Sequence, residues 1–345
     1  MIKTVNQDQN KATIPSKLVD TFGREHNYLR ISLTERCNLR CFYCMPEEGV
    51  PLRDKACFMS HEEVIEIAST FTKLGVNKIR LTGGEPLIKK GAKDIISNLG
   101  SLNTELAITT NGILIDQFIN CFKQAGIQSV NVSLDSLDAK RQTKISRRNY
   151  FDRIINNIDL LLEENFKVKV NVVVMKNINH RELVDFVELT QNKPLEIRFI
   201  EFMPFQGNKW DWAKGMGFDA IMNQLTEHYG NSNIFSLKGK ANDTAKCFKV
   251  NHYRGSFGII SSVTHPFCNS CNRIRLTADG KIRNCLFSPN ETDLLRAYRN
   301  GDDIIPLILQ SITAKKAQRA GLNSLNDLNI QCHTTNNRSM VTIGG

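Results

Sequence analysis

The sequence predicts an α/β fold: an incomplete (βα)6 barrel of the TIM type, its open side closed by a smaller C-terminal domain. Three observations lead there. Short segments rich in β-branched residues alternate with segments of helical period. The alternation runs through six units rather than the eight of a closed barrel. Beyond about residue 229 it gives way to short strands and a hairpin signal.

Taken in order, residues 1–27 are polar and without clear period, which predicts a mobile or loosely docked arm. Residues 28–228 form the barrel. Its strands are predicted at Tyr28–Leu33, Lys78–Thr82, Leu106–Thr110, Ser129–Leu134, Lys167–Val174 and Leu195–Met203. Among the helices between them, one opens on a capping box, Ser60 with Glu63, and buries Val64, Ile67, Ala68 and Phe71 along one stripe. Phe151, Ile154, Ile155, Ile158 and Leu162 repeat that stripe, as do Leu183, Phe186 and Val187. Strands joined through helices pair in parallel by right-handed crossovers, and ligands of such sheets bind at the carboxyl ends of the strands. Residues 229–345 make the C-terminal domain. Phe257–Val263, Arg273–Thr277 and Lys281–Asn284 are its predicted strands, the last two turning through Asp279-Gly280, and Asn290–Asn300 and Ile304–Ala320 its predicted helices.

The composition is that of an ordinary soluble protein, 41% apolar and 23% charged. No run of residues is long and apolar enough for a membrane span, and the polar N-terminus lacks the apolar core of a secretion signal, so the expected location is cytoplasmic and no membrane partner is expected. A net charge of +10 suits an anionic ligand, but the basic residues are dispersed, and Arg147-Arg148 is too short for a nucleic-acid arm. No polynucleotide partner is expected.

Ten cysteines are many for a reduced compartment, and their spacing carries the information. Six fall into two trios, Cys37-x3-Cys41-x2-Cys44 after the first strand and Cys268-x2-Cys271-x13-Cys285 in the C-terminal domain. Three thiolates can hold three irons of a cubane cluster and leave the fourth iron open to a small chelate. Structural zinc is the competing reading. For the first trio it needs a distant fourth ligand such as His26 or His61; for the second it is the common cysteine knuckle. Cys57, Cys121, Cys247 and Cys332 stand apart and read as small buried hydrophobes.

The stretch CNLRCFYC, with an aromatic residue before the third cysteine, resembles the signature of the radical S-adenosylmethionine (radical SAM) superfamily. Gly83-Gly84-Glu85-Pro86, after the second strand, resembles that superfamily's turn for the methionine amino group: two glycines permit close backbone approach, and a glutamate offers an acceptor. The stretch FCNSCNRIRLTADGKIRNCLF resembles the C-terminal motif of the GTP 3′,8-cyclases of molybdenum cofactor biosynthesis, a family of radical SAM lyases. YLRISLTERCNLRCFYCMP, TTNG, VSLDSLD, KVNVVVMKNINHRE, IRFIEFMP and the Gly-Gly ending are similar to segments of the same family in the same order.

The resemblance implies two [4Fe-4S] clusters, on Cys37, Cys41 and Cys44 and on Cys268, Cys271 and Cys285, with S-adenosyl-L-methionine as cofactor. It implies S-adenosylmethionine contacts at Tyr43, Gly84, Ser133 and Met203, and GTP contacts at Arg30, Arg80, Thr110, Lys169, Arg273 and Arg275, with Arg198 a further candidate. Guanidinium forks suit phosphate oxygens, which agrees with that set; charged strand residues such as Arg30, Lys169 and Arg198 also serve as ordinary ion-pair partners of helix acids. The implied reaction is abstraction of the C3′ hydrogen of GTP by a 5′-deoxyadenosyl radical and closure onto C8. The resemblance further implies an electron donor such as flavodoxin or ferredoxin, cyclic pyranopterin monophosphate synthase as the downstream enzyme, a tail that reaches the active site, and allows a homodimer. The chain departs from the family pattern in its longer N-terminal arm, in Lys89-Lys90, and in QRAGLN near residue 318. The competing functions are a radical peptide-modifying enzyme and a zinc-stabilised RNA-binding protein.

Overall fold

Every strand of the centre separates two chemistries by its alternation. The structure, a computed structural model, describes residues 15–51, 53–208, 210–333 and 338–344. Strands β1 (Tyr28–Ser32), β2 (Lys78–Thr82), β3 (Glu105–Thr110), β4 (Ser129–Ser133), β5 (Lys167–Val174) and β6 (Glu196–Glu201) pair in parallel, each with the next. Leu29, Ile31, Ile79, Leu81, Val130, Val132, Ile197 and Phe199 face outward and are fully buried beneath the crossover helices. Residues one step away, among them Arg30, Arg80, Asn131, Lys169 and Arg198, face the concave side. Burying the aliphatic set contributes about 1.5–3 kcal/mol per large side chain. The covering helices are α1 (His61–Lys73), α2 (Ala92–Gly100), α3 (Ile119–Gln124), α4 (Ala139–Ser146), α5 (Phe151–Glu163), α6 (Leu183–Asn192) and α7 (Phe218–Tyr229). In α1 the expected capping box is complete and Val64, Ile67, Ala68 and Phe71 form its buried stripe.

The later chain adds strands to both sides of this core. β7 (Ile234–Ser236), β8 (Lys246–Val250) and β9 (Ser256–Ile260) continue the sheet from β6; β10 (Arg273–Leu276), β11 (Lys281–Arg283) and β12 (Thr292–Asp293) continue it from β1. β9 and β10 join in parallel, the outer strands antiparallel. The result is one twelve-stranded sheet in the order β12-β11-β10-β1-β2-β3-β4-β5-β6-β9-β8-β7, curled as a partial barrel that does not close.

Several expectations meet differences. α4 escaped the periodic pattern because its buried face is mostly polar, Gln142 and Ser146 beside Ile145. The helix expected at Ile304–Ala320 ends at Thr313, and the chain then turns sharply at Arg319 and Ala320, both with positive φ. The one expected over Asn290–Asn300 begins only at Leu294, capped by Asp293. Cys57 is exposed rather than buried, and Cys121 and Cys247 are half-buried; Cys332, residues 1–14 of the arm and Gly345 of the Gly-Gly ending lie outside the described side chains or residues. Among the described residues no helix is long and apolar enough to cross a membrane.

The segment from residue 15 to β1 is docked firmly, not loosely. Leu18 and His26 are wholly buried. Asp20 accepts from Arg24 Nε at 2.6 Å and sits 3.0 Å from His26 Nε2. Burial, reinforced by the positive charge of Lys315, depresses the His26 imidazole to about 4. Unfolding would return it to about 6.5, so the unfolded chain takes up a proton that the native one refuses as the pH falls through that window. Native stability should therefore drop by up to about 1.4 kcal/mol per pH unit on this account between those limits, and be unaffected by this group above them. Chemical denaturation of the wild type and His26→Gln across pH 4–7 checks it; the variant should show the shallower acid limb.

Candidate active site

The concave side of the sheet encloses a cavity of about 1020 Å³ that runs the length of the strands. Its lining includes all six cysteines of the two trios. Every cysteine among those whose side chains are described is free of disulfides.

The first trio lies in the loop that leaves β1. The loop is held to the end of α4 by Arg40 N to Ser146 O at 2.9 Å and Phe42 N to Ile145 O at 3.1 Å. Cys37 Sγ accepts from Leu39 N at 3.4 Å and from Asn111 Nδ2 at 3.8 Å. Burial pushes the Cys41 and Cys44 thiols up; Asp135, Cys44 and Cys37 raise Cys41 further, and Cys37 and Asp135 raise Cys44. Tyr43 donates to Asp135 Oδ2 at 2.8 Å, and Asp135 Oδ1 accepts from Val173 N at 2.9 Å, which ties this loop to the ends of β4 and β5. Gly84, after β2, has room for no side chain: a Cβ there would stand 2.3 Å from Arg36 O, so the glycine lets the two loops pack against each other. Ser133 ends β4 and Met203 follows β6, and both line the same cavity as Tyr43 and Gly84.

Glu85 departs from its expected part as an acceptor facing a ligand. Its carboxylate is buried and accepts from Leu87 N, Asn111 N and Thr110 Oγ1 at 3.0, 2.7 and 2.8 Å. It braces the turn from below and leaves the backbone of Gly83 and Gly84 on the cavity wall. Thr110 sits at the cavity rim with its hydroxyl engaged by Glu85.

The second trio is assembled from a turn at Cys268–Ser270, from Cys271, and from Cys285 just after β11. Cys268 Sγ accepts from Arg319 N at 3.4 Å and Cys271 Sγ from Lys315 Nζ at 3.4 Å. Burial pushes the Cys271 thiol up, but Lys315 and Arg273 outweigh it and draw it down to about 6. The docked N-terminal segment braces this region: Arg24 donates to the carbonyls of Cys268, Ala317 and Lys316 at 2.9, 2.7 and 2.8 Å.

Both sets of sulfurs suit clusters. Within each trio the sulfurs are near enough for a thiolate to raise its neighbour, as at Cys41 and Cys268. Backbone and side-chain N–H groups already point at the sulfurs, the donors that tune cluster thiolates. The histidines that could complete a zinc site at the first trio each bond elsewhere through Nε2, His26 with Asp20 and His61 with Lys90 O at 2.7 Å. Among the described residues no group of three or more histidine, cysteine or acidic side chains is arranged to hold a single metal ion.

Between the trios the wall is cationic. Register places Arg30 beside Arg80 on one side and Arg275 on the other. Arg30 Nε and Arg273 Nη2 are buried with no hydrogen-bond partner among the described residues. Burial, with Arg30 and Arg273 alongside, holds Arg275 well below its usual range. Burial pushes the Tyr28 phenol up, yet Arg80 and Arg30 overcome it and bring it down to about 7. Arg80 Nε donates to Tyr28 Oη at 2.6 Å. Lys169 and Arg198 share Glu196, at 2.6 and 2.5 Å; their ion-pair partner is an acid of β6 in register with Lys169, not a helix acid. Lys78 was missed from the sequence, although it stands two residues before Arg80 and so on the same strand face, and it lines the same wall.

The last described residues enter this space. The helix Met340–Ile343 buries Val341 and Ile343, and the Val341 N–H is directed at the Cys44 sulfur. Arg275 donates to Gly344 O at 2.7 Å. Gly344 has φ +87°, and a Cβ on it would meet Ser32 Cβ at 2.7 Å, so only glycine fits at the ends of β1 and β2. Arg338 anchors the segment by pairing with Asp279 and Glu291, each at 2.8 Å.

Comparison with known proteins agrees with this arrangement. Residues 31–190 match the radical SAM superfamily and residues 195–321 match Molybdenum Cofactor Synthesis C. The mitochondrial GTP 3′,8-cyclase of Arabidopsis thaliana is 43% identical, across 96% of this chain and 84% of that one; the GTP 3′,8-cyclase of Rhodopirellula baltica is 40% identical, across 90% and 89%. Molybdenum cofactor biosynthesis protein 1 of Mus musculus is 42% identical across 97% of this chain, which spans about half (52%) of that relative's length, as it does for the Bos taurus protein. Among solved structures, Streptococcus suis SuiB bound to S-adenosylmethionine superposes with a TM-score of 0.57 at 15% identity, covering 82% of this chain and 65% of that one, a likeness of fold. Radical SAM enzymes use S-adenosylmethionine and a [4Fe-4S] cluster. On its match to relatives that it covers almost entirely, the chain belongs to the GTP 3′,8-cyclase family of the radical SAM superfamily.

Proposed function

We propose that the chain converts GTP to (8S)-3′,8-cyclo-7,8-dihydroguanosine 5′-triphosphate, the first step of molybdenum cofactor biosynthesis. One observation carries this reading: two cysteine trios face a single cavity, and on the wall between them Arg30 Nε and Arg273 Nη2 are buried without a hydrogen-bond partner among the described residues. Buried cations of that kind are costly unless an anion arrives, and a triphosphate supplies about four negative charges.

Cys37, Cys41 and Cys44 would hold one [4Fe-4S] cluster and Cys268, Cys271 and Cys285 a second, each with one iron left to a ligand. A cluster on the first trio, with S-adenosylmethionine bound, would supply the radical chemistry directed at C3′ of the substrate. The chain's own part is to place the two molecules. Tyr43, Gly84, Ser133 and Met203 ring the carboxyl ends of the strands and orient S-adenosylmethionine. Arg30, Arg80, Lys169, Arg273 and Arg275 grip the phosphates from the strand faces, with Thr110 at the rim. The tail, fixed through Arg275 and Arg338, narrows the cavity and excludes water. A one-electron donor such as flavodoxin or ferredoxin, a homodimeric state, and cyclic pyranopterin monophosphate synthase as the enzyme that takes the product all belong to this reading.

Anaerobically reconstituted protein should bind about eight irons per chain. Reduced and given S-adenosylmethionine with GTP, it should release 5′-deoxyadenosine and an isomer of GTP separable by chromatography and identified by mass spectrometry; a colourless protein with stoichiometric zinc would end this reading. Cys41→Ala should abolish 5′-deoxyadenosine release, and normal release would show that the first trio is not the radical-generating site. Arg273→Ala should weaken GTP binding by about ten- to a hundredfold, the loss of a charged hydrogen bond, with the first centre's spectrum unchanged. Unaltered GTP affinity in that variant would remove Arg273 from the phosphate site.

A further inference from the structure

The two trios lie in opposite electrostatic surroundings. Buried Asp135 and Glu85 stand close to the first, with Arg40 beside Cys37. Around the second gather Lys315, Arg273, Arg319 and Arg24. Asp20, the carboxylate that Arg24 pairs with, is also engaged by His26.

Lys315 is the sharpest feature of that set. It is 4% exposed, and its ammonium donates to Cys271 Sγ at 3.4 Å and to Arg273 O at 3.0 Å. No carboxylate among the described residues pairs with it. A buried ammonium whose partners are a sulfur and a carbonyl carries a large desolvation cost unless the sulfur belongs to an anion. Its position is over-determined. Lys315 N bonds Ile312 O at 3.1 Å at the end of the preceding helix, and the next two carbonyls are gripped by Arg24. The side chain is thus held on the sulfur from both directions along the backbone.

We propose that Lys315 is a positioning residue for the second centre: its charge offsets that of a cluster on Cys268, Cys271 and Cys285 and sets that cluster's reduction potential. The proposal rests on the two-cluster reading above. Reduction adds negative charge to a cluster, so a fixed cation hydrogen-bonded to its thiolate favours the reduced form and raises the potential. Among the described residues no lysine donates to a sulfur of the first trio, where the donors to Cys37 are Leu39 N and Asn111 Nδ2.

The test removes the first trio by Cys37→Ala, Cys41→Ala and Cys44→Ala, which leaves the second centre alone to be read by iron analysis and an EPR-monitored redox titration. In that background the parent should bind about four irons per chain. Lys315→Met and Lys315→Gln should move the midpoint to more negative potential or lose the centre, whereas Lys315→Arg should keep it near the parent value. Parent-like iron content and midpoint in both neutral variants would overturn the proposal, as would an arginine variant that fails as fully as methionine. A parent without iron would overturn the two-cluster reading, and this proposal with it.

Discussion

Guanidinium groups crowded inside a curled sheet set the terms for the rest of this molecule. Arg30, Arg80 and Arg275 are side by side in adjacent strands, and like charges at that spacing repel. Among the described residues no carboxylate pairs with them: Arg80 bonds Tyr28 Oη, Ile108 O and Thr109 Oγ1, Gly344 offers Arg275 a carbonyl, and Glu196 serves Lys169 and Arg198. The arrangement survives because the opposite face of the same strands is aliphatic and wholly covered. Stability is drawn from the outer face, and the inner face is left charged and incompletely paired for a ligand. A parallel sheet that turns one face to helices and the other to a lumen permits this division, because alternation assigns each residue to one side without ambiguity.

The later part of the chain contributes to the same lumen from both directions. β10 brings Arg273 and Arg275 beside β1, while β9 extends the wall past β6. The second trio is therefore covalently close to strands that belong to the common sheet, and its distance from the first trio is fixed by backbone pairing rather than by a flexible hinge. A cavity with reactive groups at separate places needs that rigidity, since a displacement of about an ångström between reacting centres is costly in rate.

Much of this was legible in the sequence, and the reasons for the gaps are physical. The six central strands were readable because they are short, hold apolar residues in alternation or in a row, and are separated by segments of helical period. The cysteine trios were readable from spacing alone, though spacing could not choose between iron and zinc; the engagement of His26 and His61 elsewhere required coordinates. β7 and β8 were missed because they lie at a sheet edge with little buried side-chain pattern, Phe235 being exposed. Glu85 was misjudged because a motif names a residue but not the direction of its carboxylate. Lys315 and Arg24 gave no signal at all: a lysine among lysines and an arginine in a polar segment acquire meaning only from what they touch.

The grip of Arg24 has a consequence for how this protein can drift. It holds Cys268, Lys316 and Ala317 by their main-chain oxygens, which every amino acid supplies alike. Such a fastening places no demand on the side chains of the residues it secures. The fastening ends just before Gln318 and the sharp turn at Arg319 and Ala320. Lys316 and Ala317 can be exchanged for other residues while the geometry behind the second set of sulfurs is kept.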